Sequence, residues 1–350
     1  MAMMKGILAS GMISAAALAV VLPGAAAAQG DIERFYKGRT VGLIIGAAPG
    51  GGHDTYARAI ARHMPRHIPG TPTLVPRNMP GAGSGRAADF LFNQAPRDGS
   101  TFGAIFPGAI MTPLVDPGRR KRTEPEKFNY LGTANKEVRV CLGWTTAPVR
   151  TFAEAFKAEM LLGATADGGS TQDYALVFND VLKTRFKLIR GYQGSNGIML
   201  AIERGEVHGL CGYAWTSFKS QKADWLAAKK VNVLVQLAIG TDPELDRMGV
   251  PPIWGFVKNA DDRAVLELLL AQQVFGRPYV APPGVPAPFV KALRAAFAAT
   301  MTDKGYTADA MKLNLEVEWG SGEEVQQLVE KVFATPPATV TRLVKAMEGR

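Results

Sequence analysis

Residues 46–54 read "GAAPGGGHD". Gly50, Gly51 and Gly52 permit backbone turns that side chains forbid, and a helical pattern begins at once with His53, Asp54 and Thr55. The first amides of a helix have no partners within it and carry the positive end of its dipole, so such a corner can hold an anion. Asp54 either caps those amides or accepts a hydrogen bond from a ligand. The same chemistry recurs along the chain. "NMPGAGSGRAADF" (78–90) sets Gly81, Ala82, Gly83 and Ser84 before a helix, and "IFPGAIMTP" (105–113) does so with Pro107 and Gly108. "ATADGGSTQDYALVF" (164–178) offers Gly169, Ser170 and Thr171, and "GYQGSNGIML" (191–200) offers Gln193, Gly194 and Ser195. One such corner is only a turn. Five of them imply a cleft rich in donors and poor in reactive groups.

Catalytic readings find little support. "GAAPGGG" lacks the Lys-Ser/Thr ending of a phosphate-binding loop and the spaced glycines of a dinucleotide fold, so no cofactor is expected. "GAGSG" at 81–85 does not have the spacing of a strained nucleophile elbow, and His53 need not be oriented by its neighbour Asp54. Asp167 and Asp173 flank "GGST" as helix caps would. Four histidines and two cysteines with no tight grouping give no metal centre. The chain is therefore expected not to be an enzyme, an exported hydrolase being the weaker alternative. Trp215, followed by Thr216 and Ser217, is a candidate for the far end of a ligand.

These corners need a scaffold. Apolar strand-like runs alternate with helical segments, starting with a strand at 40–46 and a helix at 53–65, where Tyr56, Ile60 and Met64 form the buried stripe. Arg58, Arg62 and Arg66 share another face, read as solvated. Strands within 71–81 and 97–108 and a short helix between them complete βαβαβ, the rhythm of a parallel sheet covered by helices. After a charged stretch at 116–127, read as a solvated loop, the rhythm resumes. Strands are expected at 130–133, 138–143, 161–166, 187–192, 207–212 and 231–238, and helices near 151–159, 172–184, 195–204 and 220–229. Three more helices follow, at 262–275, 287–300 and 322–333. The expected fold is α/β, with two lobes built on parallel-rich sheets and a ligand cleft between them. Residues 29–130 begin the first lobe, 131–245 form the second, and 246–350 return to complete the first. Cys141 and Cys211 lie in two apolar strand-like runs and read as buried thiols, with a disulfide permitted by an oxidising compartment.

Residues 5–28 read as a secretory leader. Lys5 precedes an apolar run from Ile7 to Leu22, Pro23 and Gly24 break it, and Ala26-x-Ala28 fits cleavage before Gln29. The formal charge of +9 for 350 residues falls only by Lys5 on cleavage, which favours anionic partners. "GRRKR" at 118–122 is too short and too near Glu124 and Glu126 to suggest nucleic-acid binding. No later segment is long and apolar enough to span a bilayer.

In order and spacing these motifs resemble the periplasmic receptors of tripartite tricarboxylate transporters, the Bug family. The resemblance rests on Pro49, Gly50, Gly51, Gly52 and Asp54, and on "NMPGAGSGRAAD" with Met79 in place of the usual Arg. It rests further on Pro96, Arg97, Asp98 and Gly99, on Gly169 and Ser170, and on Tyr192, Gln193 and Gly194 with Gly205, Glu206 and Val207. His208 stands where the family often has Asp, and "ADGGST" replaces a more usual Gly-Ser segment. The resemblance implies a two-lobed, monomeric receptor in the periplasm, working with a membrane transporter or, alternatively, a membrane sensor. It implies a small carboxylate held in the first lobe through main-chain amides and water, more by backbone than by any cation. The ligand set it suggests is Gly51, Gly52, His53, Asp54, Thr55, Ala82, Gly83, Ser84, Pro107 and Gly108 from the first lobe, and Gly169, Ser170, Thr171, Gln193 and Trp215 from the second.

Overall fold

The computed structural model describes residues 23–47, 49–50, 52–165, 170–192 and 195–349. The leader up to Leu22 lies outside them, as do Gly51, Gly169, Gln193 and Gly194.

Helix α1 (Pro23–Tyr36) leads into β1 (Thr40–Ile45), whose Val41, Leu43 and Ile45 enter one core while Ile44 faces another. Then come α2 (Gly52–His63), β2 (Thr73–Asn78), α3 (Gly85–Asn93), β3 (Thr101–Ala104), α4 (Pro107–Val115) and α5 (Pro117–Arg120). Strand β4 (Asn129–Thr133) precedes β5 (Arg139–Trp144), β6 (Met160–Gly163), α6 (Ser170–Val177), β7 (Phe186–Ile189) and α7 (Ser195–Glu203). Next are β8 (Gly209–Ala214), α8 (Trp215–Ala227), β9 (Val231–Leu237), α9 (Pro243–Arg247) and α10 (Ala260–Val274). The chain closes with β10 (Pro278–Ala281), α11 (Ala287–Met301), α12 (Lys304–Lys312), β11 (Gly320–Ser321), α13 (Gly322–Phe333) and α14 (Pro337–Glu348). Among the described residues, no helix is long and apolar enough to cross a membrane.

The strands form two sheets, ordered β11-β4-β10-β3-β1-β2 and β7-β6-β8-β5-β9. Helices cover both, giving the two-lobed α/β architecture. Parallel pairing holds where strand and helix alternate, in β2-β1-β3 and β7-β6-β8. Strands β4, β5, β9, β10 and β11 pair antiparallel, so the sheets are mixed. Of these, β4, β5 and β10 adjoin the crossings between sheets. One crossing, residues 134–138, carries the chain from β4 to β5; the other, residues 275–277, carries it from α10 to β10. They lie side by side, with Ala134 N donating to Arg277 O (3.0 Å) and Glu137 N to Gln273 O (2.9 Å).

Several expectations are corrected. The 116–127 stretch is not a bare loop. Asp116 caps α5 by accepting from the amides of Gly118 and Arg119, Arg120 forms an ion pair with Glu126, and its guanidinium lies over Phe333 at 4.8 Å. The arginine face of α2 and of the turn after it is half-exposed and also paired: Arg62 and His63 meet Asp309, and Arg66 and His67 meet Asp303, which docks α12 on α2. The last helix, α14, sets Leu343 and Ala346 in the second-sheet core with Phe178 and Leu268, where Met111 and Leu114 of α4 also pack. Cys141 and Cys211 are joined in a disulfide, because β5 and β8 are direct neighbours and bring their Cα atoms to 3.9 Å.

Candidate functional site

Each parallel strand delivers the chain from its carboxyl end into a helix: β1 into α2, β2 into α3, β3 into α4, β6 into α6, β7 into α7 and β8 into α8. Helices α3, α4 and α8 start without a side-chain cap. Helices α5, α9, α10, α12 and α13 are capped by Asp116, Asp242, Asn259, Asp303 and Ser321. (The two remaining late helices, α11 and α14, open on proline.) Helices α11 and α14 also lack a side-chain cap; the starts of α3, α4 and α8 lie at strand ends, where α/β folds bind ligands.

At the first corner Asp54 is an organiser. It is buried, and its carboxylate accepts from Gly50 N (2.9 Å), Arg58 Nε (3.0 Å) and Asn78 Nδ2 (2.8 Å). Burial alone would raise its pKa, but the bonds from Arg58, the Gly50 amide and Asn78 outweigh burial and hold it below the usual carboxylate range. Asn78 also donates to Ala47 O (2.9 Å), tying the end of β2 to the turn after β1. Gly52, His53 and Thr55 lie on the first turn of α2.

The second corner is wound left-handed. Gly81, Ala82, Gly83 and Ser84 have φ of 129°, 50°, 58° and 69°. Ala82 and Ser84 store strain that the surroundings must hold. Ser84 supplies part of that hold: its buried hydroxyl donates to Gly46 O (2.8 Å) and accepts from Phe106 N (3.0 Å), lacing three corners together. Ser84→Ala is therefore expected to lower stability by about 1–3 kcal/mol, read by urea denaturation, because it leaves a buried carbonyl and amide unpaired. Pro107 and Gly108 open α4 just beyond Phe106.

His53 packs edge-on against Phe106 at 4.3 Å, and its Nδ1 lies 2.8 Å from Arg277 Nη1. Burial, then the Arg277 charge, holds its pKa down at about 3. The unfolded chain takes up this proton as pH falls below about 6.5, while the folded chain resists until far lower. The stability His53 contributes is thus full above pH ~6.5 and lost on acidification. Between pH 7 and pH 5 the loss is about 2 kcal/mol. Denaturation of His53→Gln is expected to show this part of the pH dependence removed.

In the second lobe a cavity of ≈ 330 Å³ is lined by Glu137, Arg139, Thr165, Ser170, Thr171, Ser195, Tyr213, Ala214 and Ser217. Arg139 Nη1 donates to Ser170 Oγ and to Gly212 O, both at 2.8 Å, while its Nη2 meets Glu137 Oε2 at 2.5 Å. Thr171 Oγ1 accepts from Thr165 N (3.0 Å) and fixes the turn before α6. Trp215 is differently placed from the expectation. Its ring is buried, stacked near Phe218, with Nε1 donating to Glu244 Oε2 (3.1 Å). Ser84 and Trp215 are thus occupied internally, and Ser170 and Thr171 border the open cavity.

Sequence reasoning missed Glu137, Arg139 and Arg277. Arg277 sits on a crossing between the sheets, where neither helical nor strand periodicity marks it, and Arg139 opens β5 at the end of the other crossing. The available signal for Arg277 was "GRPYV", a basic residue between a long helix and an apolar run that proves to be β10. A contact across the lobes was also missed: Lys219 of α8 meets Glu244 (2.6 Å) and Glu316 (3.7 Å), and Glu316 O accepts from Tyr56 of α2 (2.6 Å).

No family model matches the chain. A protein of Agrobacterium vitis described as "UPF0065 protein in the TAR-I ttuE-ttuC' intergenic region" is 26% identical over 249 residues, which cover 66% of this chain and 66% of that protein. The match thus spans just under two thirds of that relative. Among solved structures, a TctC solute-binding protein from Polaromonas, without ligand, superposes with a TM-score of 0.69 at 19% identity, covering 89% of this chain and 99% of that one. An adipate-bound protein of R. palustris gives 0.57 at 20%, covering 89% and 97%, and MatC of Rhodopseudomonas palustris with bound malate gives 0.54 at 20%, covering 88% and 99%. The chain has the fold of these periplasmic solute-binding proteins.

Proposed function

We propose that this chain is an exported receptor that captures a small carboxylate between its two lobes and presents it to a membrane transporter. The observation that carries the reading is that α3, α4 and α8 start uncapped at the carboxyl ends of strands in both sheets. Such amides hold anions without a reactive group. The fold relatives support the class of ligand, since two of them were solved with malate and with adipate. In this reading Gly51, Gly52, His53, Thr55, Ala82, Gly83, Pro107 and Gly108 form the first-lobe face, while Gly169, Ser170, Thr171 and Gln193 grip the rest of the ligand. Asp54 and Ser84 hold the turns in shape.

The test is a thermal-shift screen of mono-, di- and tricarboxylates followed by calorimetry. A true ligand raises the melting temperature with occupancy and is recovered unchanged. Binding of sugars or cationic amines alone, or turnover of the bound compound, would sink the proposal. Export is part of it: N-terminal sequencing of protein from the periplasmic fraction is expected to begin near Gln29, and an intact leader in the cytoplasm would count against it.

A further inference from the structure

We infer that Arg277 binds the ligand, its guanidinium pairing with the carboxylate at the start of α2. This rests on the reading of the first corner as the carboxylate site and adds a cation to a site expected to be mainly backbone.

Among the described residues, no carboxylate lies within ion-pair distance of Arg277. Arg139, the first residue of β5, has Glu137. Arg277 instead lies over the ring of Tyr56 at 4.2 Å, a cation–π contact that orients the guanidinium without neutralising it. A Cβ added at Gly52 would lie 3.6 Å from its Nη2 and 3.7 Å from its Nη1, so the group stands directly against the first turn of α2. Its Nε is buried with no hydrogen-bond partner. Because His53 Nδ1 accepts from Arg277, the ring proton lies on Nε2, facing the Gly276 backbone. One buried unpaired donor, one full positive charge and the positive end of a helix converge on one corner. An anion matches the charge and the helix end, whereas a neutral ligand leaves the charge unmatched.

The backbone holds Arg277 in place. Its amide donates to Thr133 Oγ1 (3.1 Å), and its carbonyl accepts from Ala134 N (3.0 Å). The residue that meets the carboxylate is therefore carried by the paired segments that join the lobes.

Calorimetric titration of the wild type, Arg277→Gln and Arg277→Lys with a carboxylate panel headed by adipate and malate tests this. Arg277→Gln is expected to bind the selected carboxylate about ten- to hundred-fold more weakly. Arg277→Lys should fall between, since a point charge replaces the planar fork. Equal affinity in folded Arg277→Gln overturns the inference and leaves the carboxylate reading standing. Failure of the wild type to bind any carboxylate overturns both. If the variants do not fold, the Arg277 Nε–H resonance of the wild type decides the matter. It should move on titration and saturate at the calorimetric stoichiometry; an unmoved resonance at saturation overturns the inference.

Discussion

Replacing Gly212 with alanine is expected to cost about 3 kcal/mol or more in stability and to abolish carboxylate binding in whatever fraction folds. Gly212 lies in β8 with φ of +73°, in the region that penalises a side chain. An added Cβ would fall 2.4 Å from Ser170 O and 3.0 Å from the Tyr174 ring. The first of these is backbone at the start of α6, which cannot rotate away. Arg139 Nη1 bonds both Gly212 O and Ser170 Oγ, so a shift of either strand or helix also breaks that bridge. Urea denaturation and titration with the screened ligand would show the paired losses. Wild-type stability would mean that β8 and α6 are not held in this close approach.

Asp54→Ala should destabilise the protein by about 3 kcal/mol, because it removes the buried acceptor of three donors and leaves Asn78 and the Gly50 amide without it. Arg58 loses less, since its side chain is 41% exposed and can be resolvated. The turn between β1 and α2 is then free to leave its binding geometry, so affinity should fall more than ten-fold. Asp54→Asn keeps the shape, loses the charge and should lie between the two. Denaturation and calorimetry on the three proteins give the order. An unchanged affinity in folded Asp54→Ala would show that the turn does not shape the site.

The sequence was most legible where strand and helix alternate. Tyr56 and Ile60 on α2 and Met64 just after it announced their buried stripe by spacing, and each glycine corner marked a strand end. Legibility failed where long-range pairing decides. Strand β10, only four residues long, gains its identity from β3 and β4, more than 140 residues earlier in the chain. The stretch at 116–127 looked like a charged loop because local charge says nothing about Phe333, over which Arg120 lies. At the site, the glycines and serines could be found as motifs, but their roles could not be separated. Ser84 and Ser170 look alike before a helix, and only the fold buries one between Gly46 and Phe106 while leaving the other at a cavity edge. Arg277 was invisible for the same reason: its partner His53 lies 224 residues away.

The most direct test is a crystal structure of the chain with a saturating carboxylate from the screen, adipate first. The account predicts one carboxylate group within about 3 Å of the first amides of α2 and of the Arg277 guanidinium, with the rest of the ligand reaching the Ser170 edge of the second-lobe cavity. A carboxylate bound elsewhere, for example in the basic hollow lined by Arg86, Arg119 and Arg122, with the α2 corner holding only water, would contradict it.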